Sequence, residues 1–113
     1  MKIAILGAAN IKHMSLISHY MNNIDLQKNQ VDIIYVDKYD TEEKINGITN
    51  YYKYNLKIKS SWSKLKKIWY YYSFKSFASK ILKKNNYDFI IVWGSYTGQL
   101  FKEILIKKYP GKY

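Results

Sequence analysis

The chain has 113 residues, 48% of them apolar and 24% charged, which suits one domain with a real core and not a disordered segment. Its formal net charge is +11, and every one of the 19 basic residues is lysine. A dedicated nucleic-acid reader, which would use the planar arginine fork, is therefore not expected, whereas an anionic membrane surface asks only for diffuse positive charge. Cysteine is absent, no apolar run approaches the roughly 20 residues of a membrane span, and Met1–Gly7 is too short for a signal-peptide core. A cytoplasmic location follows as the expectation.

In chain order, Lys2–Leu6 (KIAIL) predicts a short buried strand ending at Gly7. Met14, Ile17, Met21 and Ile24 then fall at helical spacing, predicting a helix from His13 to Ile24. Val31–Val36 (VDIIYV) predicts a second strand with Asp37 directly after it, and Asp40–Asn50 a polar connection. Tyr51–Ile58 (YYKYNLKI) alternates like a strand with one wet face.

Trp62 to Lys84 is helical in pattern, but its apolar residues change sides. Trp62, Leu65, Ile68, Trp69 and Tyr72 share one arc, whereas Phe74, Phe77, Ala78, Ile81 and Leu82 share nearly the opposite one. Two helices with a break near Tyr72-Ser73 account for this most simply. Phe89–Trp93 (FIIVW) predicts a third buried strand, followed by the turn Gly94-Ser95-Tyr96-Thr97-Gly98. Leu100–Tyr109 predicts a last amphipathic helix, stopped by Pro110-Gly111.

Strands alternating with helices imply an α/β fold: a Rossmann-like, mostly parallel sheet of about four strands with helices on both faces. Pro110–Tyr113 reads as the lead-in to a further strand, so the chain is expected to stop short of a fifth strand. Open parallel sheets bind ligands beyond the carboxyl ends of their strands, where strand order reverses. If the first and last strands are neighbours, the loops Gly7–His13 and Gly94–Gly98 face one crevice.

The first of these loops is neither a dinucleotide fingerprint, because Ala9 stands where the second glycine belongs, nor a Walker loop. On shape alone, Asn10 reads as a turn cap and His13 as a solvated residue at a helix start. Ser95 and Tyr96 read either as an ordinary polar turn or as ligand hydroxyls. Asp37 stands where dinucleotide enzymes hold a ribose, but without the glycine fingerprint it reads as a turn residue. Two histidines, no cysteine and scattered carboxylates give no metal site. The arc of Trp62, Trp69 and Tyr72 with nearby Lys64, Lys66 and Lys67 fits a helix lying in a membrane interface, and equally a core-packing helix with a solvated back.

The stretch ILGAANIKHMSLISHYM (5–21) resembles the opening of retaining glycosyltransferases with the GT-B fold. Gly7, Ala9, Asn10 and His13 match that opening in order, while Ile11-Lys12 and Ser15-Leu16 depart from it. DFIIVWGSYTG (88–98) resembles the fourth strand and following loop of the same enzymes. The resemblance implies the amino-terminal, acceptor-binding half of a two-domain bacterial glycosyltransferase for surface polysaccharide or lipid-linked glycan synthesis. Gly7, Asn10, His13, Gly94, Ser95 and Tyr96 would then line the acceptor cleft, with no catalytic residue assigned. The nucleotide-sugar donor would belong to a carboxy-terminal domain and would need no cofactor in this chain. The acceptor would be a sugar or a lipid-linked sugar, and Trp62, Lys66, Lys67 and Trp69 would touch the inner face of the plasma membrane. The alternative from another class is a stand-alone Rossmann- or flavodoxin-like nucleotide-binding or regulatory module.

Overall fold

A computed structural model of the chain describes residues 1–7, 29–37, 47–55 and 63–113. Four strands, β1 (Lys2–Gly7), β2 (Gln30–Asp37), β3 (Asn50–Asn55) and β4 (Phe89–Trp93), form one sheet in the order β3-β2-β1-β4. All three pairings are parallel. The fold is therefore α/β with the Rossmann-like strand order. The connection from β3 to β4 carries the chain past both β2 and β1 and contains helix α1 (Lys64–Lys84). After β4 come two short helices, α2 (Ser95–Leu100) and α3 (Lys102–Lys108).

β1, β4 and, apart from Asp32, β2 read as apolar runs because both faces of a parallel sheet are covered, whereas the edge strand β3 alternates. On one face Ala4, Leu6, Ile34, Val36 and Ile90 meet Phe74, Ala78 and Leu82 of α1, together with Phe101, Leu105 and Tyr109. On the other, Ile3, Ile5, Val31, Ile33 and Tyr35 form a second cluster with Ile91 and Trp93 against it. The helices among the described residues all contribute to the first face. The predicted helix from His13 to Ile24 and residues 56–58 of the predicted third strand lie outside the described residues.

The expected break in the 62–84 region does not occur: α1 is a single helix of 21 residues. Ser63 caps its start by accepting from the Lys66 N–H at 3.3 Å. Phe74, Ala78 and Leu82 repeat every four residues, lie within about 80° of one another around the axis, and are the face it buries. The earlier apolar set lies on the opposite side because it is not core. Leu65 is 81% exposed, Trp69 65%, Tyr72 55% and Ile68 45%.

Lengths explain the split. The strands, of five to eight residues, span roughly 17–26 Å, whereas the 21 residues of α1 span roughly 31 Å. Among the described side chains, those that α1 buries are Phe74, Ala78 and Leu82, all in its second half. The Phe74 and Phe77 rings lie 6.0 and 5.2 Å from the Tyr54 ring, near the carboxyl end of β3. The helical turns before Phe74 overhang that end.

The expected single helix from Leu100 to Tyr109 is instead two short ones joined at Phe101, whose φ of −104° and ψ of 11° offset the axis. The buried Phe101 ring meets the Phe74 ring edge-on at 5.8 Å, so packing of this one side chain accompanies the offset.

Two polar ties hold the layers in place. The carboxyl end of α1 exposes carbonyls that its own turns leave unpaired. Lys108 Nζ donates to the Leu82, Lys83 and Asn85 carbonyls at 2.9, 2.5 and 2.9 Å, using all three of its N–H groups. The Tyr109 hydroxyl lies 2.5 Å from the Leu82 oxygen and 2.7 Å from that of Asn85. The second tie is Asp32, fully buried in β2. Its carboxylate accepts from the Tyr87 hydroxyl at 2.8 Å, Asn50 Nδ2 at 2.9 Å and Gln30 Nε2 at 3.2 Å. One buried carboxylate thus links β2, β3 and the approach to β4.

Removing a donor from a buried carboxylate costs about 1.5–3 kcal/mol, which is the loss expected for Tyr87→Phe in urea unfolding at neutral pH. Burial, and then the hydrogen bond to Asp32, push the Tyr87 hydroxyl far above its ordinary pKa, and burial raises that of Tyr109 as well. Each phenol stays neutral in the fold at a pH where the unfolded chain ionises it, from about pH 10. Their contribution is therefore complete below pH 10 and declines above it, by about 1.4 kcal/mol per pH unit for Tyr87. Stability measured from pH 9 to 11.5 should fall, and Tyr87→Phe should make the fall shallower.

Candidate functional site

Where strand order reverses, β1 and β4 lie side by side in register, with Gly7 opposite Trp93. Each strand ends at the same rim. The crevice predicted between the two glycine turns therefore has its foundation, because the chain leaves β1 at Gly7 and leaves β4 at Gly94.

Gly7 is buried and hydrogen-bonded within the sheet between Tyr35 and Trp93. Gly94 has φ 90° and ψ 145°, a backbone conformation that L side chains rarely adopt. It lets the chain turn out of β4 directly into α2, where the Gly98 N–H donates to the Gly94 carbonyl at 3.3 Å. Among the described residues, a Cβ added at Gly94 would meet Thr97 Oγ1 at 3.8 Å, an ordinary contact, whereas its positive φ alone favours glycine. Ser95 and Tyr96 open α2 immediately beyond this turn. Thr97 is buried beneath them.

The structure thus brings Gly7, Gly94, Ser95 and Tyr96 to one rim through their backbone. Asn10 and His13, the other proposed acceptor contacts, lie outside the described residues. Asp37, read as a turn residue, is instead the last residue of β2 and pairs with Asn55 at the same rim. Asp32 and Tyr87 had no part in the sequence reading. A carboxylate inside the run VDIIYV was the available signal, since a buried acid must find donors. Asp32 pairs across to Ala4 and Asn50, toward the amino end of the strands, and serves the fold there.

Of the residues assigned to a membrane surface, Trp69 and Lys66 are exposed on the overhanging turns of α1. Trp62 lies outside the described residues, and Lys67 is placed on α1 by its backbone. Leu65, Ile68 and Tyr72 join Trp69 within an arc of about 100°. Among the described residues, no helix is long and apolar enough to cross a membrane. This arc can lie on a bilayer but not traverse it.

The conformation of Gly94 makes Gly94→Ala a sharp test of the turn. Strain of this kind costs about 1–3 kcal/mol, which should appear as a lowered urea midpoint with an unchanged m-value. Gly98→Ala, at a helical position with Val92 Cγ1 at 3.8 Å from the added carbon, should cost markedly less. Comparison with protein-family models, curated proteins and solved structures found no match to this chain.

Proposed function

We propose that this chain is the acceptor-binding domain of a glycosyltransferase, holding a sugar or lipid-linked sugar at the rim where β1 and β4 end. The observation that carries the reading is the register of Gly7 against Trp93, which makes the two glycine turns adjacent at the strand-order reversal. The resemblance of residues 5–21 and 88–98 to GT-B enzymes supports it from the side of the sequence. Gly94, exposed where the chain turns out of β4, leaves its backbone approachable by a polyhydroxylated ligand, and Asn10, His13, Ser95 and Tyr96 would add side-chain hydrogen bonds. Transfer requires an acceptor hydroxyl and an activated sugar held together in a closed cleft. The chain's part is to position the acceptor, and a nucleotide-sugar site on a second domain would supply the donor.

Location is part of the same reading: the domain works peripherally at the inner face of the plasma membrane. The exposed arc of Leu65, Ile68, Trp69 and Tyr72, on a chain of net charge +11, supports it. Aromatic rings favour the headgroup layer, and lysines near anionic lipid gain about 1 kcal/mol each.

Amide shifts of the isotopically labelled chain separate acceptor binding from nucleotide binding. Neutral oligosaccharides should move Gly7, Gly94 and Gly98 while uridine and adenosine diphosphates leave them in place. The reverse pattern would establish the nucleotide-binding module instead, and silence at all three with every saccharide tried would remove the rim as a sugar site. For location, the chain should sediment with anionic liposomes, and Trp69→Ala with Tyr72→Ala should weaken this by about tenfold or more. Undiminished sedimentation of the double variant would take α1 out of the membrane reading.

A further inference from the structure

The exposed side of α1 does not end with its apolar arc. At about 100° per residue, Lys75, Ser79 and Lys83 continue the stripe begun by Leu65, Ile68 and Tyr72 toward the carboxyl end of the helix. Lys75 Nζ already leans over the Tyr72 ring, 5.6 Å from its centroid. Lys75, Ser79 and Lys83 form one wall of an open groove of about 290 Å³, and Glu103, Ile104, Lys107 and Lys108 of α3 form the other.

Four lysines in one groove have an ordinary explanation, namely balancing the negative end of a helix. Lys108 fills that role by direct hydrogen bonds, whereas Lys83 and Lys107, in the last turns of α1 and α3, share it only through space. The three N–H groups of Lys108 are consumed by the carbonyls at the end of α1. Lys75, Lys83 and Lys107 remain, and Lys83 and Lys107 have no carboxylate partner among the described residues. Against the single Glu103 they leave two net positive charges facing a concave surface. Uncompensated like charges on two packed helices repel one another, so an anion entering between them relieves a cost already present in the fold.

The form of that anion follows from the donors. Two or three ammonium groups and one hydroxyl, converging from two helices, suit a group with several terminal oxygens and a charge near −2. A phosphate monoester carries about −1.5 to −2 at neutral pH and three such oxygens. A phosphodiester carries −1 and two. Nucleic acid offers diesters and no reason for exposed leucine and tryptophan beside them, whereas a lipid offers a phosphate and an apolar layer together. About 16 Å of helix separates Tyr72 from Lys83, so a helix lying flat brings both to one bilayer surface.

We propose that the groove between α1 and α3 holds the phosphate-monoester headgroup of an anionic lipid while the Leu65–Tyr72 arc sits in the adjoining interface. The proposal rests on the membrane reading of α1 and adds to it a preference among anionic lipids. The test compares phosphatidylcholine vesicles containing phosphatidic acid with vesicles containing phosphatidylglycerol, matched in surface charge. Wild-type chain is expected to bind the phosphatidic acid vesicles more tightly. Lys83→Ala with Lys107→Ala should lower that binding by about thirtyfold, roughly fivefold per lysine, and abolish the preference. Lys80→Ala with Lys84→Ala removes the same charge from exposed positions on another flank of α1 and should reduce binding to both vesicles equally, by less than about fivefold.

Equal losses from the two lysine pairs, or no preference in the wild type, would overturn the groove while leaving the membrane reading standing. Failure of the wild type to bind either vesicle would overturn that reading. Glycerol 3-phosphate then identifies the source: amide shifts at Ser79, Lys83 and Lys107 without vesicle binding would assign the groove to a soluble phosphate ester and refute the lipid assignment. All four substitutions are at exposed helical lysines, so the variants should keep the wild-type urea midpoint.

Discussion

The parallel ladder between β1 and β4 is the constraint on which the remaining arrangement depends. Having added β2 and β3 to one side of β1, the chain must cross both to place β4 on the other. That crossing demands a long connection, and α1 is the element that makes it. It also sets the ends of β1 and β4 beside one another at the strand-order reversal, the place where open parallel sheets hold their ligands. The amino ends are closed by the opposite means: Lys2 binds Asp88 and Asn85, and the Asp88 N–H returns to the Lys2 carbonyl. Polar groups are thus tied down at the end of the sheet where the helix arrives, while glycines mark the end where strands β1 and β4 leave.

A helix of 21 residues laid over strands of five to eight has more length than the sheet can cover. The overhang could have projected from either end. The clamp of Lys108 and Tyr109 on the last carbonyls of α1, and the cap at Asn85, fix the helix by its carboxyl end. All the excess therefore emerges at the carboxyl rim. An apolar arc there is not a defect of packing, since its residues lie opposite the buried face of the same helix.

Strand positions were legible because buried parallel strands are written as unbroken apolar runs, and FIIVW begins and ends where β4 does. The adjacency of β1 and β4 stood only as a condition in the sequence, because alternating strands and helices imply parallel pairing but do not fix strand order. The helical region from Trp62 misled for an instructive reason. Apolar residues that switch sides imply two helices only if every apolar residue is assumed to face the core. Leu65, Ile68, Trp69 and Tyr72 violate that assumption. Beyond the lone carboxylate inside VDIIYV, nothing local marks the roles of Asp32, Tyr87 and Lys108, because most of their partners lie 18 to 55 positions away. The break at Phe101 was hidden likewise, since it follows a ring–ring contact with Phe74 across the core.

The direction of α1 joins the two surfaces in one functional geometry. Because its carboxyl end lies by Lys2, at the amino end of β1, its first turns lie at the other end of the sheet, where Gly7 and Gly94 sit. A bilayer touching Leu65, Ile68, Trp69 and Tyr72 would face the rim, and the lysine groove would touch the same surface farther along. An acceptor sugar anchored to that bilayer would approach the β1–β4 crevice from the membrane side over a short distance, losing little freedom beyond what its lipid has already surrendered. A soluble acceptor would gain nothing from this placement. In the proposed function, the overhang of α1 would thus give lipid-linked sugars an advantage over free ones that the glycine turns alone would not.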